Sequence, residues 1–281
     1  MMFRIQLLVL FIIASSCNDK ENKKHIYFTF VDGSTTAIGR TTVEPPDGKA
    51  VTANRVSGNP EDIQLDLITN KLYVSLGHSA VIDEYADGNI GNHKRIYKLQ
   101  HVVTAMAVDP TRNRIYWAEG SFYKIYMGSM DGNKVPVLLF DGEGVTSQCT
   151  GMALNTETNT LYFTDFNENK IFEADLNKGT MPTEFSKNLL FDMDGPLDIT
   201  LSKDGNSVYW TDLKNRIVST DIKTKASIVL YNGQAKAIFV DQPTNDLYFS
   251  TDNQVFKFNL NASPVLNKVL DRSGVTGFVV F

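Results

Sequence analysis

One short phrase recurs six times along this chain, and its spacing limits the fold more than any other feature. The phrase is an apolar residue, a tyrosine, an apolar or aromatic residue, and then usually a small polar one. It reads IYFTF around Tyr27, LYVSL around Tyr73, IYWAE around Tyr116, LYFTD around Tyr162, VYWTD around Tyr209 and LYFST around Tyr248. Successive tyrosines stand 46, 43, 46, 47 and 39 residues apart. A period of that length marks an array of like supersecondary units, each burying its apolar faces against its neighbours.

The inside of one unit can be read from its turns. Five of the six phrases follow an asparagine: Asn70, Asn113, Asn159, Asn206 and Asn245. Asparagine tolerates a positive φ and favours tight turns. Before each asparagine lies a short apolar run, DIQLDLITN, AMAVDPTRN, GMALNTETN, DITLSKDGN or AIFVDQPTN. Two apolar runs joined by such a turn predict a hairpin. A third run follows downstream (KIYMGSMDG, KIFEADLNKG, RIVSTDIKTK, QVFKFNLNAS), and then a fourth (VPVLLF, FSKNLL, ASIVLY, LNKVLD). Four short strands per unit of some 43 residues, with no sustained helical period, predict an all-β propeller of four-stranded blades.

The ends set the expected blade count. After a polar stretch the chain enters at HIYFTFVDG, already the second strand of a unit. It closes on GVTGFVVF, a lone first strand. The two fragments complement each other, so the sequence predicts five whole units plus one shared between the termini. That is a six-bladed β-propeller over residues 26–281, closed by pairing of the C-terminal strand with the N-terminal blade. Closure of this kind removes open sheet edges. A blade packs on both faces, so neighbouring aromatics such as Tyr209 and Trp210 should fill opposite inter-blade gaps. Each buries ~150–250 Å², worth ~4–6 kcal/mol of gross transfer energy at ~25 cal/mol per Å². The six tyrosines are therefore expected in the core.

The letters YWTD at 209–212 resemble the class B, or YWTD, repeats of the low-density-lipoprotein receptor, six of which make one propeller. The resemblance spans roughly residues 26–281. Asp165 and Asp212 match the motif's aspartate, and Glu119 stands in at one unit. The resemblance implies a structural link between neighbouring blades for Asp165 and Asp212.

The first seventeen residues, MMFRIQLLVLFIIASSC, carry one positive charge at Arg4, an apolar run and then small residues. That is the layout of a secretory signal, and the run is about half the ~20 residues a membrane-spanning helix needs. Cys17 after small residues resembles a bacterial lipobox, although the usual leucine three places earlier is absent. The polar NDKENKK that follows suits a tether. The expected division is a signal peptide over 1–16, a lipidated Cys17 with its tether over 17–25, and the propeller beyond. Loss of residues 1–16 removes one Arg and no acid, taking the formal charge from −5 to −6. No basic stripe is present, which speaks against nucleic acid. Besides Cys17 only Cys149 then remains, and it is expected as a small buried apolar residue.

Chemistry is expected at the mouth of the central channel. Aligned on the asparagine turns, the innermost strands start near Glu61, Thr104, Thr150, Leu197, Lys236 and Thr276. One residue on are Asp62, Ala105, Gly151, Asp198, Ala237 and Gly277. Glu61, Asp62 and Asp198 are the candidate ligand-binding residues at the mouth. The two aspartates, nearly opposite, suit either a polar rim or a hard divalent cation such as calcium; no other cofactor is expected. Phe122, Tyr123 and Phe166, on loops after second strands, are candidate recognition residues at the rim, since exposed aromatics are typical of binding hot spots. SKDGNSVYWTD is also similar to the wording of gluconolactonase-type hydrolases, which are metal-dependent. Their Asn and Asp set is missing here, and His25, His78, His93 and His101 are scattered. The expected function is an exported, lipid-anchored module of the cell envelope that binds a protein or glycan. It touches the membrane through its lipid only and is not expected to be an enzyme. The alternatives are a metal-dependent lactonase and a structural part of a larger envelope complex.

Overall fold

The structure is a computed structural model and describes residues 25–32, 35–42, 51–56, 58–66, 68–77, 79–86, 91–120, 124–141, 148–179, 183–184, 192–262, 265–271 and 275–280. They build strands and one single-turn 3₁₀ helix at Pro110–Arg112. Cys17 and the whole signal-like segment lie outside these residues, as do Phe122 and Tyr123.

The strands fall in fours. The first three are β1 (His25–Asp32), β2 (Thr35–Thr42) and β3 (Val51–Arg55). Then come β4 (Pro60–Asp66), β5 (Lys71–Leu76), β6 (Val81–Tyr85) and β7 (His93–Lys98). The next unit is β8 (Val103–Asp109), β9 (Arg114–Glu119), β10 (Lys124–Ser129) and β11 (Val137–Asp141). It is followed by β12 (Met152–Asn155), β13 (Thr160–Asp165), β14 (Lys170–Asp175) and the two-residue β15 (Thr183–Glu184). Two more units are β16 (Pro196–Leu201), β17 (Ser207–Asp212), β18 (Arg216–Asp221) and β19 (Ser227–Asn232), and β20 (Ile238–Asp241), β21 (Asp246–Ser250), β22 (Gln254–Asn259) and β23 (Asn267–Asp271). The last strand is β24 (Val275–Val280).

The expectation of a six-bladed propeller needs correcting. Counted as continuous runs of four strands, the blades are five, not six: β4–β7, β8–β11, β12–β15, β16–β19 and β20–β23. The remaining four-stranded sheet is a composite in the order β24-β1-β2-β3, with its inner strand taken from the far end of the chain. There β24 runs antiparallel to β1, with Phe278 opposite Phe28 and Val279 opposite Tyr27. The inner strands β24, β4, β8, β12, β16 and β20 neighbour one another in turn, and β20 lies beside β24 again.

The phrase itself explains the core. All six tyrosines are buried, none more than 9 % exposed. Because side chains alternate along a strand, each tyrosine enters one gap and the residue after it enters the other. Tyr73 shares a cluster with Trp117 of the next sheet, Tyr116 with Phe163, Tyr162 with Trp210 and Tyr209 with Phe249. Tyr248 with Phe28, and Tyr27 with Val74, complete the circuit in one larger cluster. The turns behave as their asparagines predict. Asn70, Asn113, Asn159 and Asn245 all have φ between 52° and 58°. In the fifth turn Gly205 takes that role, with φ 65°, one residue before Asn206.

Candidate functional site

The inner strands do not begin regularly. The register slips by one residue where β4 meets β5, where β8 meets β9, where β16 meets β17 and where β24 meets β1. These bulges fall at or beside the residues from which the sequence starts its inner strands. A bulge bends its strand and re-aims a side chain. The position that follows, read round the ring, is Asp62, Ala105, Gly151, Asp198, Ala237, Gly277. The order Asp-Ala-Gly repeats twice.

The repetition has a physical basis. Asp62 is 3 % exposed, and its Oδ2 accepts the backbone N–H of Met106 on β8, the next inner strand. Asp198 does the same half a turn away: its Oδ2 accepts the N–H of Ile238 on β20 at 3.0 Å, and its Oδ1 accepts that of Ile199 at 2.8 Å. Each aspartate thus reaches the strand that carries an alanine at the matching position, Ala105 or Ala237, both buried. Gln64 reinforces the first bridge, donating from Nε2 to Met106 O at 2.8 Å and to Asp62 Oδ1 at 3.4 Å. Glycine serves the close approach on the other side. A Cβ on Gly151 would stand 2.7 Å from Asp198 Cα and 2.8 Å from its Oδ1.

Burial pushes both carboxyls up. For Asp62 the rise carries it well above the ordinary aspartate value; the bond from Met106 opposes it, and the charges of Asp198 and Glu61 add to it. Asp198 is pushed up to about 8 by burial, against the pull of its bonds from Ile238 and Ile199. Asp198 keeps a little accessible surface, though protein surrounds it. These two aspartates act as inter-strand clamps. A hard cation wants several free, converging oxygens, whereas these oxygens face amide hydrogens, so the pair does not fit a divalent metal. Among the described residues no three His, Cys, Asp or Glu side chains gather to hold one. Glu61, part-exposed, sits where a Cβ on Gly77 would meet it, so its side chain lies across the end of the adjoining strand.

The other singled-out residues are placed as follows. Phe166 is half-buried; with Leu213 it lies close over Gly195, whose φ is 52°. It therefore covers the seam between the β12–β15 and β16–β19 blades. Asp165 is buried and accepts the N–H of Glu168 at 3.0 Å. Asp212 is fully buried, accepts the N–H of Lys214 at 3.1 Å and pairs with Arg216. These bonds close turns within each aspartate's own blade. Cys149 is buried, its Sγ 3.5 Å from Gly151 O.

Sequence reasoning missed a cleft of about 450 Å³ between the β4–β7 and β8–β11 blades. Trp117, Tyr126 and Pro136 form its apolar part; Lys98, His101, Glu119 and Lys124 are among its polar groups. Glu119 is 7 % exposed, and Trp117 Nε1 donates to its Oε1 at 3.5 Å. Burial raises the Glu119 carboxyl, while the Trp117 bond and the nearby His101 and Lys124 draw it down. The available signal was the glutamate where the YWTD phrase has aspartate.

No protein-family model matches the chain. A chain of the crystallised nidogen/laminin complex is similar over 92 % of this chain and 98 % of that one, at 19 % identity and a TM-score of 0.77. A putative TolB from Agrobacterium tumefaciens covers 92 % of this chain and 97 % of its own, at 9 % identity and a TM-score of 0.66. A protein from Lactobacillus plantarum covers 89 % and 82 %, at 18 % identity and a TM-score of 0.60. What these likenesses share with the chain is the β-propeller fold.

Proposed function

We propose that the chain is an exported binding module, held to the cell envelope through a lipid on Cys17, whose propeller recognises a protein or glycan. The observation that carries this reading is the use of Asp62 and Asp198. Their carboxyl oxygens accept backbone N–H groups of the next inner strands, which gives the mouth's acids a structural task and leaves recognition to the surface. The order of an apolar run, small residues, Cys17 and a polar tether supports the anchor. The similarity to a chain from a nidogen/laminin complex supports protein recognition as a use of this shape.

The test uses full-length protein expressed in a bacterial host. Radiolabelled palmitate should enter the protein and fail to enter a Cys17→Ser variant. The mature chain, cross-linked in envelope preparations, should retain one partner or glycan reproducibly. Lactone hydrolysis that needs added calcium and disappears in Asp198→Ala would replace this reading with the hydrolase.

A further inference from the structure

We propose that the cleft between the β4–β7 and β8–β11 blades binds a carboxylated sugar ring of the hexuronic acid class. The inference rests on the binding-module reading and gives it a site. The cleft's volume of about 450 Å³ falls in the range of small-molecule sites, which combine an apolar wall with a few convergent polar groups.

Its wall is aromatic. Trp117 is fully buried and stacks on Tyr126 with centroids 5.8 Å apart and planes 17° from parallel. Tyr97 also packs on Trp117, with centroids 5.1 Å apart, so Trp117 backs the wall and Tyr126 supplies its exposed aromatic surface. Tyr126 is part-exposed, with Pro136 also lining the cleft. A sugar ring offers a C–H face to such a surface and hydroxyls at its edge. Those hydroxyls find acceptors and donors in Glu119 and Gln100, which line the same space.

Charge narrows the class. Lys98 and His101 are exposed and Lys124 part-exposed, and all three line the cleft, against Glu119 as its one acid. Lys124 also pairs with Asp141 at 3.2 Å, which fixes its ammonium at the cleft's edge. A carboxylate on the ring would meet Lys98 and Lys124, while Glu119, whose Oε1 accepts from Trp117, lies within the same lining to meet a hydroxyl. A neutral sugar would offer Lys98 no such charge.

The chain has two tryptophans, so Trp210→Phe leaves Trp117 as the reporter in the cleft. D-Glucuronate titrated into this protein should change the Trp117 fluorescence saturably, and D-glucose should bind weaker by at least about tenfold. Lys98→Met, at an exposed position, should weaken glucuronate about tenfold while leaving the melting temperature unchanged; Glu119→Gln should keep or strengthen it. Calorimetry on the unmodified protein guards against a folding defect of Trp210→Phe. The proposal is overturned by an absent saturable signal in both assays, by equal affinity for glucose, or by indifference to Lys98→Met. Capture of an envelope partner without glucuronate binding would sink this site alone, and glucuronate binding without a partner would confirm it.

Discussion

Asp198 shows how much one carboxyl can depend on its surroundings. It accepts two backbone N–H groups, one of them from the neighbouring blade. Asp198→Ala would strand both donors, at a cost of about 1–3 kcal/mol, read as a lower urea midpoint. Its proton is linked to folding as well. In the fold the carboxyl keeps its proton up to about 8, against an ordinary value of 3.8. Between those values the native state holds more protons at this group than the unfolded chain, so its contribution to stability is fully present below about 4 and is lost as pH rises to about 8. The slope is at most ~1.4 kcal/mol per pH unit per group. Asp62 is pushed the same way. Urea melts from pH 4 to 8 should show this decline, and Asp198→Ala should flatten it; a profile identical to the parent's would contradict the assignment. Gly151→Ala tests the other half of the arrangement. Its Cβ would meet backbone at Asp198 Cα and Ile199 N, which cannot swing aside, so about 1–3 kcal/mol should be lost.

The hairpin of β17 and β18 is the element in which the phrase does most. Asp212, fully buried, accepts from the Lys214 amide and Arg216 Nε, and Asn215 turns the chain with φ 58°. Removing one member of a buried pair leaves the other charge uncompensated. Asp212→Ala is therefore expected to cost about 3 kcal/mol, with hydrogen-exchange protection lost first over Arg216–Asp221. Two residues after the tyrosine, five of the six phrases carry a hydroxyl and one carries Ala118, and the hydroxyls differ between blades. Thr211 donates to Lys236 O of the next blade, whereas Ser250 Oγ, equally buried, meets no partner among the described residues. Thr211→Val should lower the melting temperature, and Ser250→Ala should leave it unchanged or raise it.

At the scale of the molecule, the one non-local strand pairing among the described residues is that of β24 with β1. Every other sheet is made of strands consecutive in the chain. Deleting residues 275–281 would take the inner strand from the composite sheet and expose the edge of β1, a row of unpaired backbone groups that invites association. The truncated chain should lose its sharp single melting transition and aggregate, as followed by calorimetry and light scattering. A truncated chain that melts as cooperatively as the parent would show that the ring does not depend on its closure.

The sequence by itself determined the period, the turns, most of the strands and the alternation of tyrosine with its neighbour between two gaps; in the β12–β15 blade the outer strand is Thr183–Glu184, ahead of the expected FSKNLL, which lies outside the described residues. All of these are local: they follow from side-chain periodicity and from asparagine's tolerance of positive φ. The closing pair, too, was legible, because two incomplete units at the chain ends are each other's missing parts. Alignment set Asp62 and Asp198 at matching positions of their units, but not their partners. Whether Asp62 and Asp198 bind a ligand or brace a strand depends on what lies opposite, and the backbone N–H of Met106 and of Ile238 arrive there from chain 44 and 40 residues away. The cleft beside Glu119 is likewise a product of two blades meeting, with Lys98 on one and Lys124 on the other. Tertiary structure alone decided those roles, because a polar group's work is set by the partners that packing brings to it.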